Sequence, residues 1–229
     1  MLYIISGFLF GILIPYMARR FAKFMPATMA YAIYRLIAPT KKVSRQKRKK
    51  NGTYQTLIQK YMMRSIGWGV ICSSLTFATH SCLPSDFYIA LVWILLLLYE
   101  IDNRIYLLPD LLTVPLLIIG FIYAATIHPE TDFVILSPAF CSAFGAAVGY
   151  ALPVLATLFM VKRHPDAFGG GDIKLLSAVG AWIGFYHVPI LILSSALLFG
   201  FLCLAKHERS GAFGPAIVIA TLVLVFFII

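Results

Sequence analysis

The chain has 229 residues, 61% of them hydrophobic, and its mean hydropathy is +0.89. Soluble domains average about 45–50% apolar residues, so a single water-soluble core does not explain this composition. Several membrane-crossing helices of about 20 residues each would explain it. The net charge of +10 raises the question of nucleic acid, but 13 of the 19 Lys and Arg residues lie within 19–64, beside apolar segments. That placement favours contact with membrane lipid headgroups, and no nucleic-acid partner is expected.

The four cysteines give no sign of a metal site. They are Cys72, Cys82, Cys141 and Cys203, and no two form a CxxC pair. A zinc ribbon is therefore excluded on spacing. Most of them fall in apolar segments, where a free cysteine behaves as a small hydrophobic residue.

The N-terminal part combines an apolar run with a basic segment. Leu2–Ala18 is followed, not preceded, by Arg19 and Arg20. A secretory signal peptide has the opposite polarity, so this run predicts a retained anchor whose N-terminus lies outside. Seven basic residues fall within 41–50, a block typical of a solvated cytoplasmic segment. We therefore divide the chain into 1–64, an anchor helix with a basic cytoplasmic segment, and 65–229, a membrane-embedded domain.

Seven further apolar segments follow the anchor, separated by short polar loops. They predict an all-α, polytopic membrane helix bundle of about eight transmembrane helices, with both termini outside. The predicted crossings are Leu2–Ala18, Ser65–Thr79, Phe87–Ile101, Leu111–Ile127, Phe133–Val161, Ile173–Tyr186, Pro189–Ala205 and Ala212–Ile229.

The basic residues segregate to one side in this arrangement. All 19 Lys and Arg residues fall on the inner side, and the outer loops contain Asp86, Glu130 and Asp132 without any basic residue. Basic loops are retained in the cytoplasm. The sequence therefore predicts that the inner side is cytoplasmic.

Two inner loops carry aspartates where a helix meets the inner surface. Asp102 ends one predicted span, and Asp172 begins another after three glycines. Ionisable groups at such positions are costly and indicate function by default. The two stretches are EIDNRIYLLPDLLT at 100–113 and FGGGDIKLL at 168–176.

A structural role is an alternative for two of the three aspartates in these loops. Asp172 could cap the N-terminus of its helix, and Asp110, which follows Pro109, fits a cap even better. Asp102 has no such explanation, because it lies at a helix C-terminus, where negative charge is disfavoured. The acid–base interpretation therefore depends most on Asp102.

Glycines 169, 170 and 171 favour a reactive role for Asp172. A glycine run allows positive φ angles and a close backbone approach, which would admit a substrate backbone beside the carboxyl. Two aspartates that share a proton can activate water and polarise a carbonyl without a metal or a covalent nucleophile. Lys174 follows, but the GK[ST] of a phosphate-binding loop does not.

At these residues the chain resembles the type IV prepilin peptidases, the GxGD aspartyl proteases of bacterial inner membranes. Gly169–Leu176 is similar to the family's GxGD-[IF]-K-L-L motif. DNRIYLLPDLLTVPL at 102–116 is similar to its other aspartate block, and Phe213-Gly214-Pro215 to a late Phe-Gly-Pro. The resemblance extends from about Asp102 to the C-terminus.

The resemblance implies cleavage of prepilin or type II pseudopilin leaders at the cytoplasmic face. It implies Asp102 and Asp172 as the catalytic residues, and Gly169, Gly170, Gly171, Lys174, Asp110 and Pro109 as substrate-binding or supporting residues. The expected partners are the leader and the hydrophobic helix of the substrate. The peptidase reaction requires no cofactor. Many members also N-methylate the new N-terminus with S-adenosylmethionine, an activity tied to an N-terminal half whose CxxC pairs residues 19–64 lack.

Two alternatives stay open. Another GxGD protease, such as an archaeal preflagellin peptidase or a presenilin-like enzyme, would use the same pair of aspartates. A proton-coupled transporter also uses paired acids near helix breaks, but it would favour mid-membrane ionisable groups and half-repeats. Cleavage of a prepilin leader in detergent separates these possibilities.

Overall fold

A computed structural model describes residues 1–24, 53–83, 85–126, 137–160, 169–206 and 211–227. These residues contain eight α-helices and no strand. The helices are α1 (Leu2–Phe24), α2 (Thr53–Cys82), α3 (Phe87–Ile105), α4 (Asp110–Thr126), α5 (Pro138–Met160), α6 (Gly170–Ile183), α7 (Val188–Lys206) and α8 (Gly214–Phe227). The basic segment at 41–50 lies outside the described residues. The chain forms two compact units, Met1–Pro84 and Ser85–Ile229.

The first unit consists of α1 packed against α2 in antiparallel orientation. Gly7 lies against Thr76, and Gly11 lies against the backbone at Trp68, so the missing side chains let the two helices approach closely. The predicted boundary between residues 64 and 65 falls inside α2, and this unit therefore contains the whole helix. The assignment of peptidase chemistry to 65–229 stays a prediction.

The second unit contains α3 to α8, and its tightest contact joins α5 to α6. A Cβ atom on Gly145 would overlap the backbone carbonyl of Gly180. Farther along, Ser142 Oγ donates to the carbonyl of Ala181 at 2.7 Å. Such small residues let helix backbones approach in an apolar environment, where packing rather than hydrophobic burial drives association.

Helices α4 and α6 run parallel in the same unit. Trp182 Nε1 donates to the carbonyl of Leu116 at 2.9 Å, and the Trp182 ring lies against Gly120 and stacks on Tyr123. Tyr88 of α3 joins this cluster, and its hydroxyl is 3.1 Å from that of Tyr123. The parallel packing brings the N-termini of α4 and α6 to the same end, as the predicted alternation requires.

The described helices have the character of membrane spans. Three are long and apolar enough to cross a bilayer by length and composition, over Leu2–Phe21, Pro138–Leu158 and Val188–Ala205, and α4 and α8 are shorter apolar helices. Along α7 the exposed side chains form an apolar stripe at Leu193, Leu197, Phe201 and Leu204. A stripe of this kind suits contact with lipid tails. The all-α, polytopic helix bundle is therefore confirmed.

Candidate active site

Asp102 lies in the last turn of α3, with only 4% of its surface exposed. Its Oδ2 accepts a hydrogen bond from the backbone N–H of Gly214 at 3.0 Å. Gly214 is the first residue of α8, so the positive end of that helix compensates for the unfavourable C-terminal position in α3. A Cβ atom on Gly214 would lie 2.6 Å from the same oxygen, and the close approach therefore requires glycine.

Asp172 is the third residue of α6 and is half-buried. Gly169 precedes the helix in an extended conformation (φ −68°, ψ 136°), and its backbone N–H bonds to the Asp172 carboxyl. This contact corresponds to half of a capping box, in which the third helical residue reaches back to the residue before the helix. The structural alternative for Asp172, a helix cap, is therefore present alongside any catalytic role.

The glycine run at 169–171 permits a close backbone approach, as expected, but its residues do not have positive φ angles. Among the described residues the positive-φ positions are Gly184 and Tyr106, so glycines 169–171 do not use the positive φ angles that such a run allows. The close approach is observed, because a Cβ atom on Gly171 would lie 2.9 Å from the side chain of Leu108. Glycine at 171 thus lets the two aspartate-bearing loops touch.

The carboxyls of Asp102 and Asp172 interact electrostatically. Both lie outside the predicted spans 87–101 and 173–186. Burial raises the pKa of Asp102 to about 6, and the hydrogen bond from Gly214 opposes the rise. Burial, together with the negative charge of Asp102, raises the pKa of Asp172 to about 7. The structure therefore brings the two predicted catalytic residues into one electrostatic unit.

Asp110 and Lys174 join the two loops at the surface. Lys174 Nζ donates to both carboxylate oxygens of Asp110, at 2.8 and 2.7 Å, and both side chains are partly exposed. Pro109 closes the first turn of α4 through its carbonyl, which accepts from the N–H groups of Leu112 and Thr113. The Asp110 carboxylate thus contacts α6 and does more than cap its own helix. Gly170, by contrast, is exposed and borders open space.

An ion pair in the last two turns of α3, with its carboxylate buried, was not predicted from the sequence. Glu100 is fully buried, and its Oε1 accepts from Arg104 Nε at 2.8 Å and from Nη2 at 2.5 Å. The four-residue spacing of opposite charges was the available signal. The burial was not visible in the sequence, because it depends on the neighbouring helices.

The arrangement can carry acid–base chemistry. Two interacting carboxyls with raised pKa values can hold one proton between them near neutral pH, as water-activating pairs do. Among the described residues no three His, Cys, Asp or Glu side chains converge to hold a metal ion. The fold and the site together define a class of protein: a polytopic membrane protein with a paired-carboxyl site at one end of its helix bundle.

Comparison with known proteins identifies the family. The model of the type IV leader peptidase family matches residues 89–204, which include Asp102, Asp110 and Asp172. This match covers half of the chain. The chain belongs to the type IV leader peptidase family.

Several curated relatives are similar to this chain, and each is named prepilin leader peptidase/N-methyltransferase. The Aeromonas hydrophila protein is 35% identical over 162 residues, covering 67% of this chain and 48% of the relative. The Dichelobacter nodosus protein is 31% identical over 178 residues, covering 76% and 60%. The Legionella pneumophila protein is 35% identical over 147 residues, covering 61% and 49%. The chain thus matches about half of each relative's length. No solved structure matches it.

Proposed function

We propose that this protein is a membrane aspartyl endopeptidase that removes the leader peptide of type IV prepilins or type II secretion pseudopilins. The observation that carries the proposal is the pair formed by Asp102 and Asp172, in which Asp102 is buried, Asp172 is half-buried, and the charge of Asp102 raises the pKa of Asp172. Family membership and the names of the relatives support the choice of substrate. The expected partners are the substrate's leader and its hydrophobic helix, with membrane lipid around the bundle.

The two carboxyls take different roles in the proposed reaction. Asp102 has the lower pKa and a hydrogen bond from Gly214 that favours its ionised form, so it is the base that accepts a proton from water. Asp172 holds the shared proton and donates it to the oxygen of the scissile carbonyl. The hydroxide that remains when Asp102 takes a proton from water attacks the carbonyl carbon and forms a tetrahedral diol. Collapse of the diol breaks the C–N bond: the proton on Asp102 passes to the leaving amine, and Asp172 takes back a proton from one diol hydroxyl, which restores both carboxyls to their starting states.

In the proposed mechanism, glycines 169–171 and the Asp110–Lys174 ion pair support the two aspartates. Gly169 orients the Asp172 carboxyl, Gly171 lets the loop at Leu108 approach, and exposed Gly170 leaves room for a substrate backbone. Lys174 and Asp110 hold the starts of α6 and α4 together, and Pro109 shapes the turn before α4. These contacts fix the distance between the two aspartate-bearing loops.

Methyl transfer is not part of the proposed reaction. The relatives' names include N-methyltransferase, which on this chain would need S-adenosylmethionine as methyl donor. The cavity beside Asp102 has a volume of about 150 Å³, whereas sites for ligands of that kind usually measure about 300–1,000 Å³. This cavity is too small for the cofactor, and no step is assigned to it.

The proposed location is the bacterial inner membrane, with the active site facing the cytoplasm. The predicted one-sided distribution of all 19 basic residues supports it, because basic loops are retained inside. We expect a cysteine placed at Asn51 to resist an impermeant thiol reagent in intact cells and to react after the cells are opened. Efficient labelling in intact cells would contradict the orientation.

The test of the function is cleavage of a prepilin in detergent. Asp102→Asn and Asp172→Asn should each reduce cleavage by at least about 10²–10⁴-fold, because amides cannot pass the proton. Asp86→Asn, at the opposite end of α3, is the matched control and should cleave normally. If Asp172→Asn stayed active, the aspartyl mechanism would be wrong. Cleavage of a preflagellin leader alone would favour the other protease class, and no cleavage of either would favour a transporter.

A further inference from the structure

A small cavity opens beside the C-terminal turns of α3. Its volume is about 150 Å³. Helix α3 forms one wall, and α7 and the start of α8 form the opposite wall. The residues that define it are Tyr99, Asn103 and Tyr106 on one side and Phe199, Cys203 and Pro215 on the other. All ten residues that line it are uncharged, so the cavity suits an uncharged occupant.

The cavity adjoins the carboxyl of Asp102. Tyr99, Asn103 and Tyr106 share one face of α3, and Asp102 lies about 60–70° around the helix from the middle of that face. On the opposite wall, Pro215 directly follows Gly214, whose N–H binds the Asp102 carboxyl. A group bound in the cavity would therefore lie next to any bond attacked at Asp102.

Tyr106 forms the outer wall of the cavity in a strained conformation. It ends α3 with φ 54° and ψ 34°, the left-handed region, while its N–H bonds to the carbonyl of Asp102 at 2.9 Å. This conformation is unusual for a bulky side chain. Its ring is 65% exposed, so burial of the ring does not offset the strain. Strain of this kind concentrates at ligand clamps and active sites.

We propose that this cavity is a specificity pocket for one uncharged substrate side chain, no larger than a single ring, on a residue that flanks the scissile bond. A cavity of about 150 Å³ is large enough to hold one benzene-sized ring. The aromatic walls at Tyr99, Phe199 and Tyr106 favour a flat or branched apolar group. Tyr106 is then a specificity residue, and its ring closes over the bound side chain. This inference rests on the proposed peptidase function.

The first test measures selectivity with prepilin leader peptides that carry Ala, Leu, Phe or Lys at either residue flanking the scissile bond. At one of these two positions, the full-length protein should prefer Leu or Phe over Ala and Lys by about 10–100-fold in kcat/KM. Tyr106→Asn removes the ring, but asparagine tolerates the left-handed backbone. The variant should lose most of this preference, chiefly through KM. Tyr186→Asn is the matched control, because Tyr186 is similarly exposed (67%) but lies in the turn that follows the far end of α6.

The second test measures binding without cleavage. Replacing Cys72, Cys82 and Cys141 leaves the pocket thiol of Cys203 as the only cysteine. In that background with Asp172→Asn, a Phe-bearing peptide should slow alkylation of Cys203 several-fold, and the Lys-bearing peptide should not. Adding Tyr106→Asn should abolish the protection. Equal protection by both peptides, or protection that survives Tyr106→Asn, would overturn the pocket.

The two tests separate the pocket from the proposed function. If the wild-type chain cleaves none of the peptides, the peptidase function fails, and the alkylation experiment still decides the pocket. If it cleaves them and Tyr106→Asn keeps the wild-type ranking of side chains, the pocket is wrong and the peptidase function stands.

Discussion

The two halves of the candidate site are built in opposite ways. Asp172 is held by its own neighbourhood, because Gly169, three residues earlier, donates a backbone N–H to its carboxyl. Asp102 is held by a residue 112 positions away in the chain, since Gly214 at the start of α8 donates to it. One half is therefore a local helix-start motif, and the other exists only once α3 and α8 have packed together.

The difference has an energetic reason. At the start of α6, free backbone N–H groups already favour a carboxylate, and partial exposure lowers the cost of its charge. At the end of α3, the helix dipole opposes a negative charge, and nearly complete burial adds to the penalty. The Asp102 carboxyl therefore depends on α8 for its stabilisation. We expect this half of the site to be the more sensitive of the two to substitution.

Gly214→Ala tests that sensitivity most strongly. The new Cβ atom would lie 2.6 Å from Oδ2 of a carboxyl with almost no freedom to move, so α8 or Asp102 must shift. A misplacement of about 1 Å can cost about 10²-fold in rate, and we expect a loss of that order in prepilin cleavage. Gly200→Ala in α7, where an added Cβ atom meets nothing within 4 Å, is the matched control and should remain close to wild type.

Gly169→Ala should have a smaller effect. Its Cβ atom would meet Asp172 Oδ2 at 2.9 Å, but this carboxyl is half-buried and can rotate away. We expect a loss well below that of Gly214→Ala, measured as initial cleavage rate at equal amounts of folded protein. If Gly169→Ala lost more activity than Gly214→Ala, the local half would be the more sensitive one, and the comparison would be reversed.

The pH profile tests whether the halves act as a pair. Cleavage needs one carboxylate and one carboxylic acid. Because the pKa of Asp102 is raised to about 6 and that of Asp172 to about 7, kcat/KM should rise as pH increases through about 6 and fall as it increases through about 7. Two ordinary aspartates would place both limbs near pH 4. A rate that stays constant from pH 4 to 8 would exclude the proposed proton sharing.

The Asp110–Lys174 ion pair should matter least. Partly exposed ion pairs contribute about 0–1 kcal/mol, so Asp110→Asn should keep most of the cleavage activity and lower thermal stability only slightly. Reversing the pair with Asp110→Lys and Lys174→Asp together should restore what either change alone loses. If Asp110→Asn were inactive while correctly inserted, Asp110 would have a direct role in the reaction.

Much of the site was predictable because its signals are local. The spacing of apolar runs and basic residues predicted the helices, and the position of Asp102 at a disfavoured helix end marked it as functional. The resemblance selected Asp172, Lys174 and the Phe-Gly-Pro stretch. It gave no role to Gly214, because a contact between residues 102 and 214 depends on how α3 and α8 pack.

The features that the sequence did not predict share a physical cause. A glycine run allows positive φ, yet these glycines do not use it and are needed for space, as at Gly171 against Leu108. Within the described part of the chain the left-handed residue is instead Tyr106, which no propensity favours. The burial of Glu100 and the cavity wall at Phe199 likewise depend on helices far apart in the sequence.

The glycine contact between α5 and α6 has a genetic consequence. The backbone of Gly180 fills the space that a Cβ atom on Gly145 would need, so any replacement at 145 moves the helix that carries Asp172. The facing position is already glycine and cannot become smaller, so no second substitution there can restore the room. Loss-of-function alleles at Gly145 should therefore be refractory to suppression at the contact itself, although this contact lies more than two helical turns from Asp172.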